Sequence, residues 1–164
     1  RKRHLKNNSK FKKPTAMTDK TTTVAQIMST PVITVGPNDT MSDVQDIFRK
    51  NNIHHIPVVD DGKVVGIISK SDYYRLLHGF TLFKTHKSEQ YNDAIMRSLL
   101  AGEAMTRQVA TLNPGDSLEM AVGFFREHLF HALPVIDKDK LVGIVTTFDL
   151  LTHAYASPLM MEEQ

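Results

Sequence analysis

The sequence predicts an α+β fold made twice over: two β-α-β-β-α repeats related by pseudo-twofold symmetry. Three observations predict it. GIISKSD, from Gly66 to Asp72, returns as GIVTTFD, from Gly143 to Asp149. A shift of 77 residues places Pro57 on Pro134, and the same shift pairs Met28 with Met105, Pro37 with Pro114, Asp39 with Asp116, Phe48 with Phe125 and His54 with His131, without a gap. Within each copy, short β-branched runs alternate with apolar residues at helical spacing. The repeat register divides the chain into a basic leader (1–22), a first repeat (23–77), a linker containing a helix (78–100), a second repeat (101–155) and a tail (156–164).

Each repeat opens on a short strand, PVITV (31–35) or QVATL (108–112), stopped by Pro37 or Pro114. Asp39 and Asp116 then stand where helix N-caps belong. Met41, Val44, Ile47 and Phe48 form a helical stripe, as do Leu118, Ala121, Phe124 and Phe125. IPVVD and LPVID follow as buried strands, DGK and KDK turn the chain, and VVGII and LVGIV return as hairpin partners. A last helix begins near Ser71 and near Phe148. The linker's second half, from about Ser88, reads as a helix with Ala94, Ile95, Leu99 and Leu100 on its apolar face, whereas its first half, HGFTLFKTHK, has no sustained period.

A half-length piece of 164 residues would bury too little surface to be comfortably stable, so the repeats are expected to share a core. With no cysteine, disulfides and thiolate metal sites are excluded, which suits a reducing compartment. No apolar run approaches the roughly 20 residues of a membrane helix, and a cytoplasmic protein is expected. The net charge of +2 hides an asymmetry. RKRHLKNNSKFKK carries seven basic residues and no acid; without them 13 basic residues face 18 acidic ones. Such a leader reads as solvated and disordered, with a nucleic-acid or anionic-membrane arm as the sharper alternative.

From Val24 to Tyr155 the paired stretches IMSTPVITVGPNDTMSDVQDIFRKNNIHHIPVVDDGKVVGIISKSD and AMTRQVATLNPGDSLEMAVGFFREHLFHALPVIDKDKLVGIVTTFD resemble the cystathionine-β-synthase (CBS) domain family. The resemblance implies a tandem CBS-domain pair: one module with its sheets packed together and two clefts between the repeats. It also implies a homodimer, a regulatory role and an adenosine-containing ligand such as AMP, ADP, ATP, S-adenosylmethionine, NAD or cyclic di-AMP. No required cofactor, no catalysis and no membrane association are implied, and an unidentified regulated protein would receive the signal.

Gly66 and Gly143 lie inside strands, where glycine often marks the close approach of another backbone or a ligand. Ser69 and Thr146 end those strands, and Asp72 and Asp149 fall in the first turn of the next helix. A carboxylate there can accept both hydroxyls of a ribose, while the hydroxyl and free helix N–H groups face a phosphate. The same Ser69-x-x-Asp72 and Thr146-x-x-Asp149 spacings also make capping boxes. By resemblance, Ser29, Pro31, Val32 and Ile33, with Thr106, Arg107, Val109 and Ala110, form the edges on which adenine is read. The facing walls are His54, His55, Ile56 and Pro57 in one repeat and His131, Ala132, Leu133 and Pro134 in the other. Val32, Val109, Ile56 and Leu133 read better as core strand residues. In chain order, Lys70 and His55 mark the first cleft, and Thr147, Ala132 and Arg107 the second. The HxxH spacing of His128 and His131 is too weak for a metal site, and no nucleophile–base set or phosphate-cradling glycine loop is present. Two further readings stay open: a ligand-free dimerisation or scaffold module, and nucleic-acid binding through the leader.

Overall fold

The computed structural model describes residues 22–79, 86–128 and 130–155. Most of the basic leader, the aromatic first half of the linker from 80 to 85, and the tail lie outside the described residues.

A single turn of 3₁₀ helix, Val24–Gln26, precedes α1 (Met41–Lys50), β1 (His55–Asp60), β2 (Lys63–Ser69) and α2 (Lys70–Gly79). The linker supplies α3 (His86–Ser98). The second repeat then follows as α4 (Ala101–Ala104), α5 (Leu118–His128), β3 (Ala132–Asp137), β4 (Lys140–Thr146) and α6 (Thr147–Ala154). β1 and β2 form one antiparallel hairpin and β3 and β4 another, each with a bulge at the same repeat position. β2 and β4 meet across the pseudo-twofold axis.

The leading strands expected at 31–35 and 108–112 shrink to one bridging residue each. Val35 N–H donates to Pro57 O at 3.2 Å and its carbonyl accepts from Val59 at 2.8 Å; Leu112 does the same with Pro134 and Ile136. Only these residues pair in parallel with β1 and β3, and Pro31 has no N–H with which to extend the ladder. The helix caps also sit one residue later than expected. Thr40, not Asp39, caps α1: its Oγ1 accepts from Asp43 N–H at 3.2 Å while the Asp43 carboxylate accepts from Thr40 N–H at 2.9 Å. The Thr40 hydroxyl, which donates to the same carboxylate at 2.7 Å, and then the Thr40 N–H hold the Asp43 carboxyl below its ordinary pKa. Ser117 Oγ likewise accepts from Met120 N–H at the start of α5. Asp39 and Asp116 instead brace the preceding turns, each accepting a backbone N–H at 2.7 Å, from Gly36 and Asn113 respectively.

Two cores form, one per repeat, but the chain does not divide cleanly between them. Val24 is fully buried in the second core, under α5, β3 and β4, and Val24 N–H donates to Asp116 O at 2.8 Å. In the mirror position, Ala101 and Met105 are buried in the first core, and Ala101 N–H donates to Asp39 O at 2.7 Å. The crossing continues outward. Ser29 exchanges two backbone hydrogen bonds with Ile144 of β4, at 2.9 and 3.1 Å, and Thr106 exchanges two with Ile67 of β2, at 3.0 and 2.9 Å. Each repeat's leading segment is therefore a structural part of the other repeat.

Gly66 and Gly143 are the seats for this crossing. A Cβ at Gly66 would stand 2.6 Å from Met105 Cγ, and one at Gly143 would stand 2.8 Å from Met28 Cγ. Close approach is thus confirmed for both glycines, but the approaching group is a methionine side chain of the other repeat, not a ligand. In the linker, α3 buries Met96 against the first core, while Ile95 is half-buried and Ala94 exposed, so its inner face is rotated from the expected one. Phe125 is buried in the second core and Phe124 is half-buried at that core's edge.

Candidate functional site

Two clefts open where the repeats meet. The larger, about 680 Å³, is lined from the first repeat by Ile53, His54 and His55, and from the second by Thr146, Phe148 and Asp149, with Ser29 of the leading segment and Ile144 beneath. The smaller, about 360 Å³, is lined by Phe130, His131 and Ala132 on one side and by Ser69, Ser71 and Asp72 on the other, with Thr106 and Ile67 beneath. The second set is the first shifted by one repeat. The wall of each repeat therefore faces the hydroxyl and carboxylate of the other. This corrects the chain-order assignment of cleft partners: the carboxylate across from His54 and His55 is Asp149, and the one across from His131 and Ala132 is Asp72.

The sheet and the helix caps position these groups. The hairpin pairs His55 with Ser69 and Ala132 with Thr146, so each wall and each signature hydroxyl sit at a sheet end. Lys70 N–H donates to His54 O at 2.8 Å and Thr147 N–H to His131 O at 3.2 Å, tying each last helix to its own wall. Thr146 Oγ1 donates to Asp149 Oδ2 at 2.6 Å and accepts from Asp149 N–H at 3.2 Å; Thr146 N–H reaches the same Oδ2 at 2.7 Å. Ser69 Oγ donates to Asp72 Oδ2 at 2.5 Å and accepts from Asp72 N–H at 3.0 Å. The capping role of both pairs is therefore real. It leaves each carboxylate's Oδ1 outside the cap. Ser29 Oγ donates to Asp149 Oδ1 at 3.2 Å, and the Arg75 guanidinium stands 3.2 Å from Asp72 Oδ1. Of a carboxylate's roughly four acceptor positions Asp149 uses three and Asp72 two, so each retains room for a ligand hydroxyl.

His55 and His131 line both clefts. Burial, and then the proximity of His131 and His54, push the His55 imidazole down to about 4, with Asp72 opposing weakly. His55 is thus neutral at pH 7, a hydrogen-bonding group rather than a cation.

Fourteen of the expected site residues line a cleft: Ser29, His54, His55, Ser69, Lys70, Asp72, Thr106, Val109, Ala110, His131, Ala132, Leu133, Thr146 and Asp149. The others do not. Ile56, Pro57 and Pro134 are fully buried core residues. Pro31 and Val32 line a separate depression with Lys140 and Val142, and Ile33 is exposed. Arg107 lies beside α4, where its guanidinium donates to Gly102 O at 2.6 Å. Among those missing from the expected set were Asn52, Ile53, Tyr74 and Phe148 in the larger cleft, Arg75, Gln108 and Phe130 in the smaller, and Ser71 in both. Arg75 and Tyr74 could have been found, since each lies within one helical turn of Asp72 or Lys70.

Among the described residues, no cluster of three or more metal-ligating side chains occurs. No helix among them is long and apolar enough to cross a membrane.

Fold and clefts together define a paired-repeat module. The family described as CBS domain matches residues 24–79 and 101–155, and the chain belongs to that family as a tandem pair. It is 30% identical over 130 residues to the CBS domain-containing protein YhcV of Bacillus subtilis (strain 168), covering 79% of this chain and 84% of that one. Among solved structures, the CBS domain pair of protein MJ0100, in complex with 5′-methylthioadenosine and S-adenosyl-L-methionine, superposes with a TM-score of 0.65 at 29% identity. That match covers 80% of this chain and 94% of that chain. CBSX2 in complex with AMP gives a TM-score of 0.65 at 25% identity, covering 80% and 95%.

Proposed function

We propose that this chain is a regulatory sensor that binds adenosine-containing nucleotides, AMP, ADP, ATP or a related compound, in the two clefts between its repeats. It catalyses no reaction itself; occupancy is passed on through a homodimer and a regulated protein partner. The observation that carries this reading is the crossed pairing of Asp149 with His54 and of Asp72 with His131. A ribose diol would be accepted by the carboxylate, and the base would lie on the apolar floor formed by Ile53 and Ile144, or by Ala110 and Leu133. The bound adenosine compounds of the MJ0100 pair and the AMP of CBSX2 support the same ligand class.

Thermal unfolding with AMP, ADP, ATP and S-adenosylmethionine tests this, together with mass spectrometry of small molecules that co-purify. A ligand at one hundred times its Kd should stabilise the native state by about 2.7 kcal/mol. No shift with any of them, and no co-purifying adenosine compound, would leave the scaffold reading in front.

A further inference from the structure

The two clefts carry their positive charge differently. In the smaller, the Arg75 guanidinium lies 3.2 Å from the carboxylate of Asp72 on the same helix, so cation and anion neutralise one another beside the proposed ribose position. In the larger, the cation and the carboxylate come from opposite repeats: Lys70 opens α2 on one wall and Asp149 lies in α6 on the other. The oxygens of Asp149 are held by Thr146 and Ser29, not by Lys70. His54 stands on the Lys70 wall, and the larger cleft has nearly twice the volume of the smaller, about 680 against 360 Å³. A ligand anchored at Asp149 therefore meets, on the opposite wall, an ammonium that pairs with no carboxylate among the described residues, and one anchored at Asp72 does not. An ammonium is a compact charge suited to phosphate oxygens.

We infer that the clefts select different ligands: the larger takes a nucleoside di- or triphosphate whose outer phosphates reach Lys70, and the smaller takes a nucleoside with one phosphate or none. The inference rests on the nucleotide reading above and goes beyond it by assigning phosphate number to each cleft. Calorimetry of the full chain with ATP, AMP and adenosine tests it on the wild type, Lys70→Ala, Lys70→Gln, Asp72→Ala and Asp149→Ala. The wild type should show one binding event that prefers ATP over AMP by about 10-fold or more, and a second that does not. Asp149→Ala should weaken the first event and Asp72→Ala the second, each by about 10- to 100-fold. Lys70→Ala and Lys70→Gln should both bring the ATP-to-AMP preference near unity. Equal preferences at both events, a preference that survives both Lys70 substitutions, or loss of the ATP-preferring event in Asp72→Ala instead would overturn it. Absence of any nucleotide binding to the wild type would overturn the nucleotide reading itself, and this inference with it.

Discussion

Met105, from the segment leading into the second repeat, lies across Gly66 of β2 so closely that an added Cβ would stand 2.6 Å from its Cγ; Met28 repeats the contact on Gly143. The two contacts are the same lock closed in both directions. Alanine is ordinarily better than glycine inside a strand by roughly 0.5–1 kcal/mol, but here the methyl must displace a packed side chain, an overpacking effect of about 1–3 kcal/mol. Gly66→Ala should therefore destabilise. Met105→Ala should destabilise by about 2–5 kcal/mol through the cavity it leaves. Because the new methyl would occupy part of that cavity, the double substitution should be less damaging than the sum. Urea unfolding of all four proteins measures the coupling; strict additivity would mean that the two residues do not constrain one another.

The hairpin turns offer an internal comparison. The first repeat turns through Asp61 and Gly62 at φ 47° and 78°, the second through Lys138 and Asp139 at 48° and 67°. An L-residue in this left-handed region is disfavoured by roughly 1–2 kcal/mol, less so for aspartate, while glycine loses about 0.5–1 kcal/mol in chain entropy on folding. Asp139→Gly should therefore raise stability by up to about 1 kcal/mol, and Gly62→Ala should lower it by a similar amount. Denaturant midpoints check both, and a destabilised Asp139→Gly protein would contradict the turn assignment.

His55 makes stability depend on pH. Its native pKa is lowered to about 4 by burial and by His131 and His54, against about 6.5 in the unfolded chain. Between those values the unfolded state binds the extra proton, so stability rises with pH there. The contribution is fully present above about pH 6.5 and is lost as pH falls toward 4. His55→Gln, which cannot titrate, should flatten the unfolding midpoint across that window. An unchanged slope would show that another group carries it.

Much of this architecture was legible because every element but α3 occurs twice. The repeat shift located both hairpins, and the last helices begin within one residue of their expected positions. Two local features misled. Thr40 takes the cap because Asp43 reciprocates three residues on, leaving Asp39 to the turn. The β-branched run at 31–35 is consumed in crossing between repeats, so only Val35 joins its own hairpin. The crossing itself was hidden. A repeat pattern fixes which residues are equivalent but not which repeat a leading segment joins, and so the cleft partners were assigned in chain order. The one signal available was the Met28 and Met105 pair at the same spacing as Gly66 and Gly143, a large side chain and an empty seat repeated together. Arg107 belongs by resemblance to the adenine-reading edge of the second cleft, yet the Gly102 carbonyl holds it beside α4.

The central claim is that each cleft is made by both repeats and takes an adenosine-type ligand through its carboxylate. Calorimetry with ATP and AMP on Asp72→Ala, Asp149→Ala and the double variant, paired with denaturant unfolding, tests it most directly. Loss of charge-assisted hydrogen bonds worth roughly 1.5–3 kcal/mol should weaken one binding event by about 10- to 100-fold in each single variant and both in the double. Unfolding should remain cooperative, with a capping loss of about 0.5–2 kcal/mol per site. Wild-type affinity retained in the double variant, with only the stability loss, would reduce Asp72 and Asp149 to helix caps and contradict the account.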